Sequence, residues 1–169
     1  MIEKSITLIG MAGVGKSTIG KTLSKHYNCP FIDTDNVIEA QYKKSIFQLI
    51  QDTSNARFMQ IEEDIVLALA LSQPRIIATG GSVVYSKKAM TFLKKHTMIL
   101  YLKDTITTIK NRIKNLEKRG MISLQARSFE AIFEERARLY ETYAHKTFQL
   151  NYPPKSRSLK HQLTQFLDT

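Results

Sequence analysis

Short apolar runs alternate along this chain with longer stretches in which apolar residues recur every three or four positions. The runs at 5–9, 30–33, 75–78, 97–102 and, more weakly, 147–150 have the length of buried strands. The stretches at 16–26, 56–71, 87–95, 105–116, 129–144 and 159–167 carry the helical period. Such alternation predicts an α/β fold: a parallel five-stranded sheet flanked by helices, since each parallel pair needs a crossover long enough to hold a helix. The length of 169 residues predicts a single domain over 1–169. Residues 115–128 hold Lys118, Arg119, Gly120 and Arg127 between two helical stretches, and read as a mobile basic lid loop. Pro153 and Pro154 punctuate the chain before its last helix.

Two polar residues break the pattern. At about 100° per residue Glu62 falls about 40° from Phe58, on the same face as Ile61, Ile65 and Leu69. A carboxylate there needs a partner, either an arginine of a binding site or a purely structural ion pair. His26 falls on the stripe of Ile19 and Leu23 and is expected to pack.

The first strand runs into Gly10, Met11, Ala12, Gly13, Val14, Gly15, Lys16 and Ser17, which fit G-x-x-x-x-G-K-[ST] between a strand and a helix. Glycines let the backbone wrap an anion, successive N–H groups point inward, and the helix presents its positive end. The motif therefore predicts a P-loop NTPase-type sheet that binds ATP, with Gly13, Val14 and Gly15 around the phosphates. Lys16 neutralises the β- and γ-phosphates and Ser17 ligates Mg2+ in this reading.

The second strand ends in Asp33, Thr34 and Asp35. On an extended chain, residues two apart share a side, so both carboxylates are expected to face one ligand. Asp33 is assigned to the Mg2+ site. Asp35 is assigned to the hydroxyl under attack, as hydrogen-bond acceptor and proton acceptor. The competing reading is that one of the two caps a helix starting near Asn36.

Charge adds a question. The formal net charge is +10, and residues 87–119 hold ten Lys or Arg against Asp104 and Glu117. Such a stretch attracts polyanions in general: nucleotide phosphates, an acidic metabolite or nucleic acid. Only Phe92 and Tyr101 interrupt it, so no stacking platform for bases is evident and nucleic acid is not the expected partner. A solvated helix face is the plain alternative. The single cysteine, Cys29, allows no intrachain disulfide and reads as a small buried hydrophobe. The chain has no apolar run long enough to span a membrane and no signal-peptide layout, so a cytoplasmic monomer or weak oligomer is expected.

Taken together these residues resemble the shikimate kinase family. The likeness begins with the phosphate loop through Thr18 and continues with Phe31, Ile32, Asp33, Thr34 and Asp35. It then takes in Phe58, Ile61, Glu62, Glu63 and Asp64, and Ala78, Thr79, Gly80 and Gly81 after the third strand. Arg112 and Arg119 flank the lid, and Arg136 stands before Leu139 and Tyr140. The resemblance implies an enzyme that uses ATP and Mg2+ to phosphorylate a ring hydroxyl of shikimate, in the pathway to aromatic amino acids. It places Thr18 with the nucleotide, Arg112 near the adenine, and Asp35 on the acceptor hydroxyls. Gly80 and Gly81 would offer backbone contacts, Arg136 would hold the acceptor's carboxylate, and Arg119 would meet the transferring phosphate. The chain departs from the family at the acceptor site. Met59 stands where an arginine is expected, Ser54 and Asn55 replace a glycine and an acidic residue, Ser82 replaces a third glycine, and Gly120, Met121 and Ile122 replace proline-leucine-leucine. A methionine cannot form a charge-assisted bond to a carboxylate, so two alternatives follow: shikimate held by Arg136 with Arg57 or Arg119, or a different polyol or hydroxy acid as acceptor.

Overall fold

The structure is a computed structural model and describes residues 2–113, 127–150 and 156–168. Strand β1 (Ser5–Ile9) is buried throughout and leads through the glycine motif into helix α1 (Lys16–Tyr27). Then come β2 (Phe31–Asp33), α2 (Thr34–Tyr42), α3 (Ile46–Asp52), α4 (Asn55–Leu67), β3 (Ile76–Ala78), a short 3-10 turn (Val83–Tyr85) and α5 (Lys87–His96). The remainder is β4 (Thr97–Lys103), α6 (Ile106–Arg112), α7 (Phe129–Tyr143), β5 (Lys146–Gln149) and α8 (Ser156–Asp168).

The five strands pair parallel in the order β2-β3-β1-β4-β5. The expected sheet and its strands are thus borne out, within a residue or so at each end. With β1 between β3 and β4, the loop after β1 opens at the point where chain connections diverge to the two sides of the sheet, which is where open α/β sheets hold ligands. The main core lies on both faces of β1 and β4, with Leu8, Ile76, Leu93, Leu100 and Tyr140 fully buried. A smaller cluster of Ile38, Leu49, Phe58, Ile61 and Ile65 joins α2, α3 and α4 into a separate apolar knot beside the strand ends, with Met59 packed on its rim.

Several expectations need correction. Residues 34–52 hold two short helices that the periodicity does not announce. The stretch expected as a helix over 56–71 stops at Leu67, which is 41% exposed; Pro74 and the pairing of Ile76 require an extended chain soon after. His26 does not pack into the core. It is exposed in the last turn of α1 with its ring 4.8 Å from Tyr27, where a basic ring suits the negative helix end. Cys29 is half-buried against the main core rather than fully inside. The basic stretch is in part a solvated face: Lys87, Lys88, Lys94 and Lys95 are exposed on α5 while Ala89, Met90 and Leu93 turn inward. Lys103 and Lys110 meet Glu141 and Glu130 of α7. Tyr101 is buried and Phe92 packs against the core, so neither offers a ring to a base. Most of the expected lid, Arg119 included, lies outside the described residues, as do Pro153 and Pro154. Of the lid, Arg127 pairs with Glu135 and Ser128 caps α7 by accepting from the Ala131 N–H.

Candidate active site

The glycine motif forms the loop its spacing demands. Gly10, Gly13 and Gly15 have φ of 143°, 81° and 106°, a region L side chains rarely enter. Space is short as well, since a Cβ on Gly10 would stand 2.7 Å from the Leu102 carbonyl oxygen. Inside the loop, the Val14 N–H donates to the Met11 carbonyl at 3.2 Å. The Lys16 ammonium folds back over it and donates to the carbonyls of Gly10 at 2.8 Å and Met11 at 3.0 Å. Burial pushes the Lys16 pKa down to about 8 against the pull of Asp35 and Asp33. That desolvated cation is a strong attractor for a phosphate, because little water competes for it.

The loop heads a cleft of about 940 Å3. Gly13, Val14, Gly15, Lys16, Ser17 and Thr18 line it, together with Arg112, Leu159, Asp33, Asp35, Glu39 and Phe47. The Ser17 hydroxyl donates to Asp33 Oδ2 at 2.6 Å. A hydroxyl and a carboxylate so close are hard oxygen donors, a set that suits Mg2+, which draws few protein ligands and fills its octahedron with phosphate and water.

The relation of the two aspartates differs from the extended-chain reading. The strand ends at Asp33, whose side chain caps α2 by accepting from the Asp35 N–H at 3.2 Å. The capping alternative therefore holds, for Asp33 rather than Asp35. Asp35 stands in the first turn of α2, favourable for a negative charge. Burial raises its pKa to about 6 although Lys16 pulls it down. At neutral pH it is largely ionised and still basic enough to receive a proton.

Beyond Asp35 the chain after β3 turns through Thr79, Gly80 and Gly81. Gly80 donates its N–H to Thr34 Oγ1 at 3.2 Å. A Cβ on Gly80 would lie 2.2 Å from Glu62 Oε1 and 2.9 Å from Asp35 Oδ1, so both carboxylates press on this turn. A Cβ on Gly81 would lie 3.3 Å from an Arg136 Nη1 and 3.4 Å from the Ala12 amide nitrogen of the phosphate loop. The Tyr140 hydroxyl fixes the same turn by donating to the Gly81 carbonyl at 2.6 Å. Glu62, Asp35, Arg136 and the phosphate loop thus meet around two glycines.

Arg136 is only 2% exposed, and it donates from Nε to the Tyr85 hydroxyl at 3.3 Å with its guanidinium 5.2 Å from that ring's centre. Glu62, 4% exposed, has a partner that the helical pattern does not offer; it accepts from the hydroxyl of Ser82, where the family has its third glycine. Its pKa rises to about 8 through burial, opposed by the Ser82 bond, reinforced by Asp35 and opposed again by Arg136 and Lys16. Met59 is half-buried on α4, three residues before Glu62, and packs on the small apolar cluster. Arg57 is exposed. Ser82 and Tyr85 escaped the sequence reading, although the lost glycine marked Ser82.

The sequence profile of shikimate kinase matches residues 12–167. The chain belongs to the shikimate kinase family. It is 33% identical over 147 residues to the shikimate kinase of Paracidovorax citrulli, covering 85% of this chain and 80% of that one. It is 31% identical over 140 residues to that of Thermodesulfovibrio yellowstonii, covering 82% and 81%. The fold superposes on a shikimate kinase from Acinetobacter baumannii in complex with shikimate, with a TM-score of 0.86 over 97% of this chain and 92% of that one at 23% identity. Membership makes this a P-loop kinase that transfers phosphate to an alcohol. Among the described residues no helix is long and apolar enough to cross a membrane.

Proposed function

We propose that this chain transfers the γ-phosphoryl group of ATP to a ring hydroxyl of shikimate, giving ADP and shikimate 3-phosphate. The observation that carries the reading is the convergence on the Gly80–Gly81 turn of Asp35, a buried Arg136 and the phosphate loop. A hydroxylated carboxylic acid seated there has an acceptor for its hydroxyls, a cation for its carboxylate and phosphate within reach. Relatives named shikimate kinase, and a superposable structure described with shikimate, favour that acid over other acceptors.

In this reading the acceptor oxygen bonds to the γ-phosphorus as the bond from phosphorus to the β–γ bridging oxygen breaks. The hydroxyl proton passes to Asp35 and ADP leaves. Phosphoryl transfer asks mainly for positioning and charge neutralisation, which Lys16 and the loop amides supply. Arg119, carried over from the family, would add a cation for the transferring phosphate, and Arg112 would lie against the nucleotide. Ser17 and Asp33 would hold Mg2+, which would supply charge neutralisation to the nucleotide phosphates. The test is ADP release with ATP and Mg2+, with and without shikimate, for wild type and Asp35→Asn. Shikimate-dependent release reduced at least about a hundredfold in the variant is expected; release from wild type indifferent to shikimate would overturn the acceptor assignment.

Met59 bears on affinity rather than chemistry. An arginine at this position would lie one helical turn from Glu62, beside the acceptor turn. Met59→Arg is therefore expected to lower KM for shikimate about tenfold, as a new charge-assisted bond allows, with kcat little changed. Steady-state kinetics decide it, and an unchanged KM would mean that Arg136 already suffices.

A further inference from the structure

The outer wall of the phosphate loop carries an ion pair whose acid, Asp104, the reaction scheme above leaves unused. Arg112, in the last turn of α6, donates from Nη1 to the Val14 carbonyl at 3.1 Å and, more distantly, to the Gly13 carbonyl at 3.5 Å. Its Nη2 donates to Asp104 Oδ2 at 3.1 Å. The Asp104 side chain is 2% exposed, and its other oxygen accepts from the Thr105 N–H at 2.8 Å, so the carboxylate is fixed at the end of β4. Ile113 closes the same wall: a Cβ on Gly13 would stand 2.6 Å from its Cγ1.

The consequence lies in the geometry of a trans peptide, where the C=O of one residue and the N–H of the next point in opposite directions. The Gly13–Val14 peptide is already fixed within the loop, because the Val14 N–H donates to Met11. The next peptide, Val14–Gly15, is held from outside by Arg112. A Val14 carbonyl turned outward leaves the Gly15 N–H turned inward, toward an anion at the head of α1. Gly15, at φ 106°, has the conformational freedom to lose this orientation. An arginine without a fixed counter-charge would itself be drawn to the phosphates of the cleft it lines. Asp104 opposes that pull.

We propose that Asp104 is a positioning residue for phosphate binding, holding Arg112 so that the Val14 carbonyl stays outward and the Gly15 N–H faces the loop. The proposal rests on the cleft being the ATP site. Asp104→Asn keeps an oxygen for Thr105 but presents an amide donor to Arg112, so it breaks this pair with little change of shape. Calorimetric titration with Mg2+ and inorganic tripolyphosphate, which has phosphates and no base, is expected to give a Kd about tenfold weaker than wild type. The KM for ATP rises in parallel, while KM for shikimate stays within about twofold. In an Arg112→Met background, the Asp104→Asn change is expected to have no further effect on tripolyphosphate. Tripolyphosphate binding unchanged in Asp104→Asn overturns the proposal, as does an effect of Asp104→Asn that persists in the Arg112→Met background, or a rise in both KM values alike. Wild type that binds neither ATP nor tripolyphosphate would sink the ATP-site reading and this proposal with it; wild type that binds tripolyphosphate but ignores shikimate would sink only the acceptor assignment.

Discussion

Lys16→Met is expected to lower kcat/KM for ATP by about three orders of magnitude while leaving the melting temperature equal to or above that of wild type. The two halves have one cause. Lys16 is 9% exposed, and its pKa is depressed from 10.5 to about 8 chiefly by burial. A lysine that binds its proton less tightly when folded costs stability below its folded pKa. Stability from this group rises with pH between about 8 and 10.5, and at neutral pH the ammonium is a burden on the fold. Methionine keeps most of the stem and removes the burden, while the carbonyls of Gly10 and Met11 lose the hydrogen bonds of the ammonium. What disappears is the motif's side-chain cation, which in the proposed reaction neutralises the phosphates. Steady-state kinetics and thermal melts of the same preparations test both halves. A variant that melts well below wild type would show that Lys16 is a structural clamp on its loop, and an unimpaired kcat/KM would remove it from phosphate binding.

How much of this was legible in the sequence varies with the length over which a signal repeats. The strands at 5–9 and 97–102 and the helix after the glycine motif stand out, because β1 and β4 are buried along nearly their whole length and draw mainly on Ile, Leu, Met and Tyr, with only small hydroxyl residues among them before Lys103. The extents of helices α2 and α3 were not legible. Nine and seven residues long, they send Ile38 and Leu49 into a satellite cluster rather than the main core, too few positions to establish a period. Reading Asp33 to Asp35 as extended chain, with the helix near Asn36 only as the alternative, misplaced the geometry of the two aspartates, though not their shared cleft. Glu62 was visible as a carboxylate on an apolar face, yet its partner was not, because Ser82 lies twenty residues on, in a turn whose path only the tertiary fold fixes. Asp104 was in view as one of two acids in a basic stretch, but counting charge says nothing of which cation an acid holds. Strand order was likewise beyond reach: pairing of β1 between β3 and β4 follows from crossovers that no local pattern records.

The buried acid at the acceptor turn carries the last prediction. Glu62→Gln is expected to stabilise the protein by about 2–4 kcal/mol at pH 8 and hardly at all at pH 5, a rise in melting temperature of about 5–10 °C at the upper end. Folding raises the pKa of Glu62 from 4.5 to about 8, so the folded chain holds a proton that the unfolded chain has released. Stability from this group is full below about 4.5 and is lost as pH climbs toward 8. Glutamine has no proton to hold and can still accept from Ser82, so its curve lacks that loss. The groups facing Glu62 are Ser82, Asp35, Arg136 and Lys16; they remain in the variant, and a small fall in the pKa of Lys16, which the Glu62 charge raises, is the secondary change expected. A chain that keeps a costly carboxylate against the Gly80 turn gains something from it other than stability. In the proposed reaction that gain is the acceptor site, so the same variant is expected to raise KM for shikimate about tenfold. Melts from pH 5 to 8 that run parallel for the two proteins would refute the buried, proton-holding acid, and an unchanged KM would leave Glu62 as a structural residue of α4.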